Sequence, residues 1–213
     1  MKRATSRKWN VGHAGRGAAE AVERRDAARN RAAILATARA LFAEKGATRV
    51  TMEEIARVAG VGKGTLYRRF SNKGFLCREL LDEPTRDLQQ ETLELMGDDA
   101  TGALEKLDRF LDRLARFTDR NLDLLYGGRD ALCGSDRLAW FAHPAQDWQR
   151  WTVLGLLRAA AREGDLAAHL DLEYLAVALL APLDVDLFYY QRREQGIPVE
   201  RISAGLRSLV PAS

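Results

Sequence analysis
Five of the seven residues from Lys63 to Arg69, namely Lys63, Thr65, Tyr67, Arg68 and Arg69, can donate a hydrogen bond or a positive charge outward, and Lys73 follows one turn later. Such groups suit phosphate oxygens, and a guanidinium fork also matches the N7 and O6 acceptors of guanine. They do not suit bond-breaking chemistry. His13, His143 and His169 form no H-E-x-x-H or Cys/His cluster, the chain has no G-x-S-x-G or phosphate-loop motif, and its carboxylates are scattered. A nucleic-acid contact is therefore expected, and an enzyme is not.

Two short elements must present these side chains. Thr51 and Glu54 have the spacing of a capping box, with Ile55, Ala56 and Ala59 on one face behind them. Gly60 is the residue type that closes a helix in a left-handed conformation, and Val61-Gly62 completes a tight turn. In the next element Leu66 and Phe70 are four apart and face inward, which leaves Lys63, Thr65, Tyr67, Arg68 and Arg69 outside. Two short helices across a Gly-containing turn, the second basic and aromatic outside, are a helix-turn-helix whose second helix reads DNA.

Residues 31–76, RAAILATARALFAEKGATRVTMEEIARVAGVGKGTLYRRFSNKGFL, resemble the DNA-binding domain of the TetR family of bacterial transcriptional regulators. The resemblance combines the helix ending LFAEKG, the TMEEIARVAGV helix, then GTLYRRF and NK, and covers about the first third of the chain. It implies that Lys63, Gly64, Thr65, Tyr67 and Arg68 meet bases or the adjoining backbone, and that Thr51, Thr65, Tyr67 and Lys73 hold phosphates, with Arg69 as a further phosphate contact. Gly64 allows close backbone approach, and Thr51 sits where the helix dipole also favours an anion. Two residues depart from the family pattern: Gly62 stands where a Ser-like cap is common, and Gly74 where an acidic residue is usual.

The net charge of +3 conceals an asymmetry, since residues 1–75 hold 17 Lys/Arg against 6 Asp/Glu and the remainder holds 16 against 24. Only the N-terminal third should be drawn to DNA; the acidic remainder should be repelled. A nonspecific architectural DNA binder would share the basic third but not the large acidic, apolar-cored remainder. Cys77 and Cys133 are too few for a disulfide framework and lack metal-ligand spacing. With no leader-like apolar segment and no run of roughly 20 apolar residues, a cytoplasmic protein without cofactor is expected.

The expected organisation is all-α: residues 1–25 a flexible basic tail, 26–73 the DNA-binding domain, and 74–213 a helical effector-binding and dimerisation domain, with about nine helices implied by the resemblance. Asp26 should cap the first helix and Gly46 end it. Pro84 should kink or restart the fourth. A short helix should end at Gly127-Gly128, with 127–143 irregular; Pro144 should open a long helix, and Asp171 should cap another running from Leu172 to about Arg193 through Pro182. Asp184 and Asp186 within it are expected at solvent or the dimer edge, with an Arg partner as the alternative. Phe110, Leu114, Phe117, Trp148, Trp151 and Thr152 lie on the helices that wall the effector cavity in TetR-like proteins. A mostly apolar or aromatic small molecule is the expected effector. One helix-turn-helix spans few base pairs, so a homodimer on an inverted repeat is expected. Leu179, Leu183, Leu187, Tyr190, Ile202, Leu206 and Leu209 are its interface candidates.

Overall fold
A computed structural model describes residues 13–133 and 144–210, with the backbone alone for 13–24 and 130–133. The expected tail over 1–12 and the irregular stretch over 134–143, with Trp140 and Phe141, lie outside the described residues. Ten α-helices and no strand occur among the described residues: α1 (His13–Lys45), α2 (Met52–Val58), α3 (Lys63–Arg69), α4 (Lys73–Met96), α5 (Ala103–Arg120), α6 (Leu122–Cys133), α7 (Pro144–Glu163), α8 (Leu172–Leu180), α9 (Val185–Tyr189) and α10 (Val199–Ser208). None of them is long and apolar enough to cross a membrane.

Two apolar cores organise these helices. The smaller gathers Ile34, Ala38, Leu41 and Phe42 of α1, Met52 and Ile55 of α2, Leu66 of α3, and Leu76, Cys77 and Leu80 of α4. In the larger, Leu107, Phe110, Leu111 and Leu114 of α5 meet Val153, Leu154 and Leu157 of α7, Leu179 of α8, Phe188 of α9, and Ile202 and Leu206 of α10. Helix α4 serves both, because Leu76 and Leu80 enter the first core and Leu88 and Leu95 the second.

Several local expectations are corrected. Helix α1 begins at His13, so Asp26 lies inside it rather than capping it; the Ala-rich composition from Ala18 to Ala33 favours helix without any apolar stripe. Pro84 does not interrupt α4, because burial of Leu76, Leu80, Leu88 and Leu95 on both sides of it outweighs the roughly 3 kcal/mol a helical proline costs. Helix α6 does not stop at its glycines. It continues to Cys133, and a Cβ at Gly127 would come within 2.8 Å of the Ala47 Cβ, one at Gly128 within 2.9 Å of the Cys77 Cβ. The two glycines are therefore a contact surface that lets α6 touch the α1–α2 loop and α4 without intervening side chains.

The expected long helix from Leu172 is divided. Asp171 caps it by accepting the Tyr174 N–H at 3.0 Å, but Pro182 follows in a 3₁₀ turn over Ala181–Leu183, and Asp184 then caps α9 by accepting from the amides of Asp186 and Leu187. A proline cannot donate the next helical hydrogen bond, and Asp184 supplies the restart.

Candidate nucleic-acid interface and effector cavity
Helix α2 is fixed at both ends. Thr51 Oγ1 accepts the Glu54 amide at 3.2 Å, which is half of the expected capping box. The other half is absent: the Glu54 carboxylate instead accepts from Lys45 Nζ at 2.7 Å, tying α2 to the end of α1. That hydrogen bond and the ammonium charge hold the Glu54 carboxyl below its ordinary range. Helix α3 has no side-chain cap at Gly62, consistent with the sequence departure there. Burial holds it instead, with Leu66 fully buried and Phe70 nearly so.

The outer surface of α3 then falls where spacing places it. Lys63, Gly64, Tyr67, Arg68 and Arg69 are exposed and Thr65 half-buried, with Thr51 exposed at the start of α2. A Cβ at Gly64 would meet no protein atom within 4 Å, so the fold does not require glycine at this exposed position. The Tyr67 hydroxyl donates to Glu53 Oε1 at 3.0 Å. Glu53's own backbone N–H, then this hydroxyl, keep its carboxyl below the usual value. Arg68 and Arg69 pair with no carboxylate among the described residues, and with Arg31 they border one groove beside Phe70 and Glu79.

Lys73, expected at a phosphate, is tied into the reading unit. Its ammonium donates to the carbonyl oxygens of Ala47, Thr48 and Val50 at 2.7, 3.2 and 3.3 Å. All three N–H donors are thus engaged inside the protein, and the side chain clamps the α1–α2 loop to the first turn of α4. Asn72 caps α4 by accepting the Phe75 amide at 3.2 Å.

A cavity of about 460 Å³ opens between α4, α6 and α7. Leu88, Phe117, Leu124, Leu125 and Trp148 form its apolar wall, and Arg78, Asp82, Arg86 and Gln149 contribute polar groups. Of the six residues expected at a cavity, Phe117 and Trp148 line this one. Phe110 and Leu114 stand behind the wall as fully buried core, Phe110 meeting Trp148 edge to face at 5.8 Å. Thr152 spends its hydroxyl on the Trp148 carbonyl at 2.8 Å. Trp151 points away and is 57% exposed, so it is corrected to a surface residue. The contribution of α4 was missed, because Arg78, Asp82 and Arg86 recur every fourth residue and read as a solvated face. Cys77 also borders the cavity, but burial pushes its thiol up to about 11, which leaves little reactive thiolate.

The seven interface candidates separate. Leu179, Leu183, Ile202 and Leu206 are buried in the chain's own core, which corrects their assignment, whereas Leu187, Tyr190 and Leu209 are 44–55% exposed. Tyr174 and Val177, exposed on α8, were overlooked because that segment is apolar nearly all round. Asp184 and Asp186 take the alternative expected for them: both meet the buried Arg129 guanidinium, at 3.3 and 2.9 Å.

A capped helix-turn-helix with an outward basic helix, mounted on a larger helical body that encloses a cavity, defines a DNA-binding regulator. The family pattern of bacterial regulatory proteins, tetR family, matches residues 34–80. A probable HTH-type transcriptional regulator ArpR of Pseudomonas putida is 31% identical over 168 residues, spanning 75% of this chain and 79% of that protein. Among solved structures, a gamma-butyrolactone receptor described as ArpA-like is 25% identical with a TM-score of 0.54, covering 86% of this chain and 98% of its own. A tetR-family regulatory protein from Rhodococcus RHA1, 19% identical, shares the fold with a TM-score of 0.63 over 86% of this chain and 98% of its own. The chain belongs to the TetR family of bacterial transcriptional regulators.

Proposed function
We propose that this regulator is a homodimeric repressor of an inverted-repeat operator, released when a small, largely apolar molecule with a polar end occupies the cavity between α4, α6 and α7. The observation that carries this reading is the double duty of α4. Lys73 at its start grips the loop of the reading unit, and Leu81, Thr85 and Leu88 further along border the cavity. A ligand that fits only one tilt of α4 also selects one position of α3, and the DNA affinity changes by the ratio of its affinities for the two states.

In this reading Arg68 and Lys63 face bases, Thr51, Thr65 and Arg69 face phosphates, and Gly64 leaves room for the sugar-phosphate backbone. Tyr67 reaches phosphate after exchanging its Glu53 partner. The exposed Tyr174, Val177, Leu187, Tyr190 and Leu209 supply the apolar surface for a second copy. The ArpA-like receptor among the similar structures is consistent with a small-molecule ligand.

Selection of bound sequences from random duplex DNA tests the reading. An inverted repeat with half-sites about one helical turn apart is expected; uniform binding that collapses with salt would refute it. Sedimentation at micromolar concentration should give a dimer. Arg68→Ala should change the enriched motif, and an unchanged motif would remove Arg68 as a base reader.

A further inference from the structure
Helix α1 is 33 residues long, and its packing against the reading unit begins at Ile34 among the residues whose side chains are described. Ile34, Ala38, Leu41 and Phe42 are buried, whereas no residue from Arg25 to Ala33 is. The positions three, seven and ten before Ile34, where an apolar stripe would continue, are Arg31, Ala27 and Arg24. Residues 25–33 of the helix therefore join no core. It departs from the reading unit beside the C-terminal end of α3, since Arg31 shares a groove with Arg68 and Arg69 and pairs with Glu79. The other end of α1 leads to Ala47, against α6.

We infer that the N-terminal half of α1 is a second DNA-contacting element, a basic arm that lies along the phosphates flanking each half-site and lengthens the footprint. From His13 to Arg31 the helix holds five arginines against three carboxylates. Arg25 and Arg29 are exposed, and the only partner either finds among the described residues is Asp26, 3.9 Å from Arg29 at the surface. From Arg31 back to His13 a helix spans about 27 Å, which is the length of roughly eight base pairs. The arm makes no base-specific demand: guanidinium groups on a solvent-exposed helix add affinity and salt dependence, and α3 retains the sequence preference.

The test compares the full-length protein with its Arg24→Gln/Arg25→Gln/Arg29→Gln variant and with the corresponding triple Lys variant. Each is footprinted on the inverted repeat that the wild type enriches, embedded in unrelated flanks, and titrated with salt. Expected for the Gln variant are loss of protection outside the repeat, a salt slope shallower by roughly two to three units, and the same enriched motif. The Lys variant should keep the wild-type footprint and slope, because phosphate accepts either cation. Identical footprints and slopes for wild type and the Gln variant would overturn the inference. If selection returned no repeat, so that the operator reading failed, the slopes on a random 40-base-pair duplex would still decide: an unchanged slope removes the arm, and a shallower slope restored by Lys upholds it.

Discussion
The two cores solve the same burial problem at different lengths. In the reading unit α2 and α3 have seven residues each, too short to hold together in isolation. The Thr51 cap, the Lys45–Glu54 bridge and the Lys73 clamp on the loop carbonyls fasten α2 and the loop before it, whereas α3 is held by the burial of Leu66 and Phe70. In the C-terminal body α5 and α7 run for 18 and 20 residues and bury a stripe along most of their length. Each short helix of the small unit thus rests on one or two contacts, where a long helix of the large one rests on a row of them. The small unit should respond steeply to single changes at named positions, and the large one should spread the loss.

The largest expected effect is therefore in the small core. Leu66→Ala, at a fully buried position, should cost about 2–5 kcal/mol and abolish DNA binding, as read by urea denaturation and gel shift. The same substitution at Leu157, also fully buried, should cost a similar amount yet leave DNA binding measurable. Equal loss of binding from both would end the distinction. Lys73→Met should lower stability by about 1–3 kcal/mol while leaving the salt slope of DNA binding unchanged; a slope shallower by one unit would return Lys73 to the phosphates.

The glycines sharpen the contrast. Gly127→Ala must push the Ala47 loop aside and should destabilise by roughly 1–3 kcal/mol. Gly155→Ala, in the middle of α7 with nothing within 4 Å of the new Cβ, should raise stability by about 1 kcal/mol. Thermal unfolding of the two variants checks both signs.

The smallest effect is acid-linked. Burial works to raise the Asp112 carboxyl, but hydrogen bonds from Ser203 and Arg116, with the charges of Arg116 and Arg207, hold it below its ordinary value. The folded state thus favours the carboxylate. The stability this supplies is complete above the unfolded-state pKa of about 3.9 and disappears as pH falls through the folded value. The difference in Tm between wild type and Asp112→Asn should be present at pH 6 and shrink below about pH 4.

What could be read in advance follows the same division. Caps, turns and the four-residue spacing of Leu66 and Phe70 are local, so α2, α3 and the outward set from Lys63 to Arg69 were legible from residue types alone. Contacts between segments distant in sequence were not. Nothing near Lys73 indicates that three carbonyls 23–26 residues earlier will claim its ammonium. A Gly-Gly pair is the usual mark of a helix end, and only the nearness of Ala47 and Cys77 turns it into a contact in mid-helix. The cavity was half visible: its aromatic wall follows helical spacing, but the charged face of α4 looks like any solvated surface until α6 and α7 are set against it.

The paired glycines of α6 also bear on how sensors and readers are exchanged within this architecture. A chimera cut at the start of α4 would carry Ala47 and leave behind the surface that accommodates it. A foreign body with a side chain at the position of Gly127 would hold the reading unit at a different angle, however well each half folded. Such a graft should bind effector and DNA separately yet fail to link them, and copying that one glycine into the foreign helix is the smallest repair that should reconnect them.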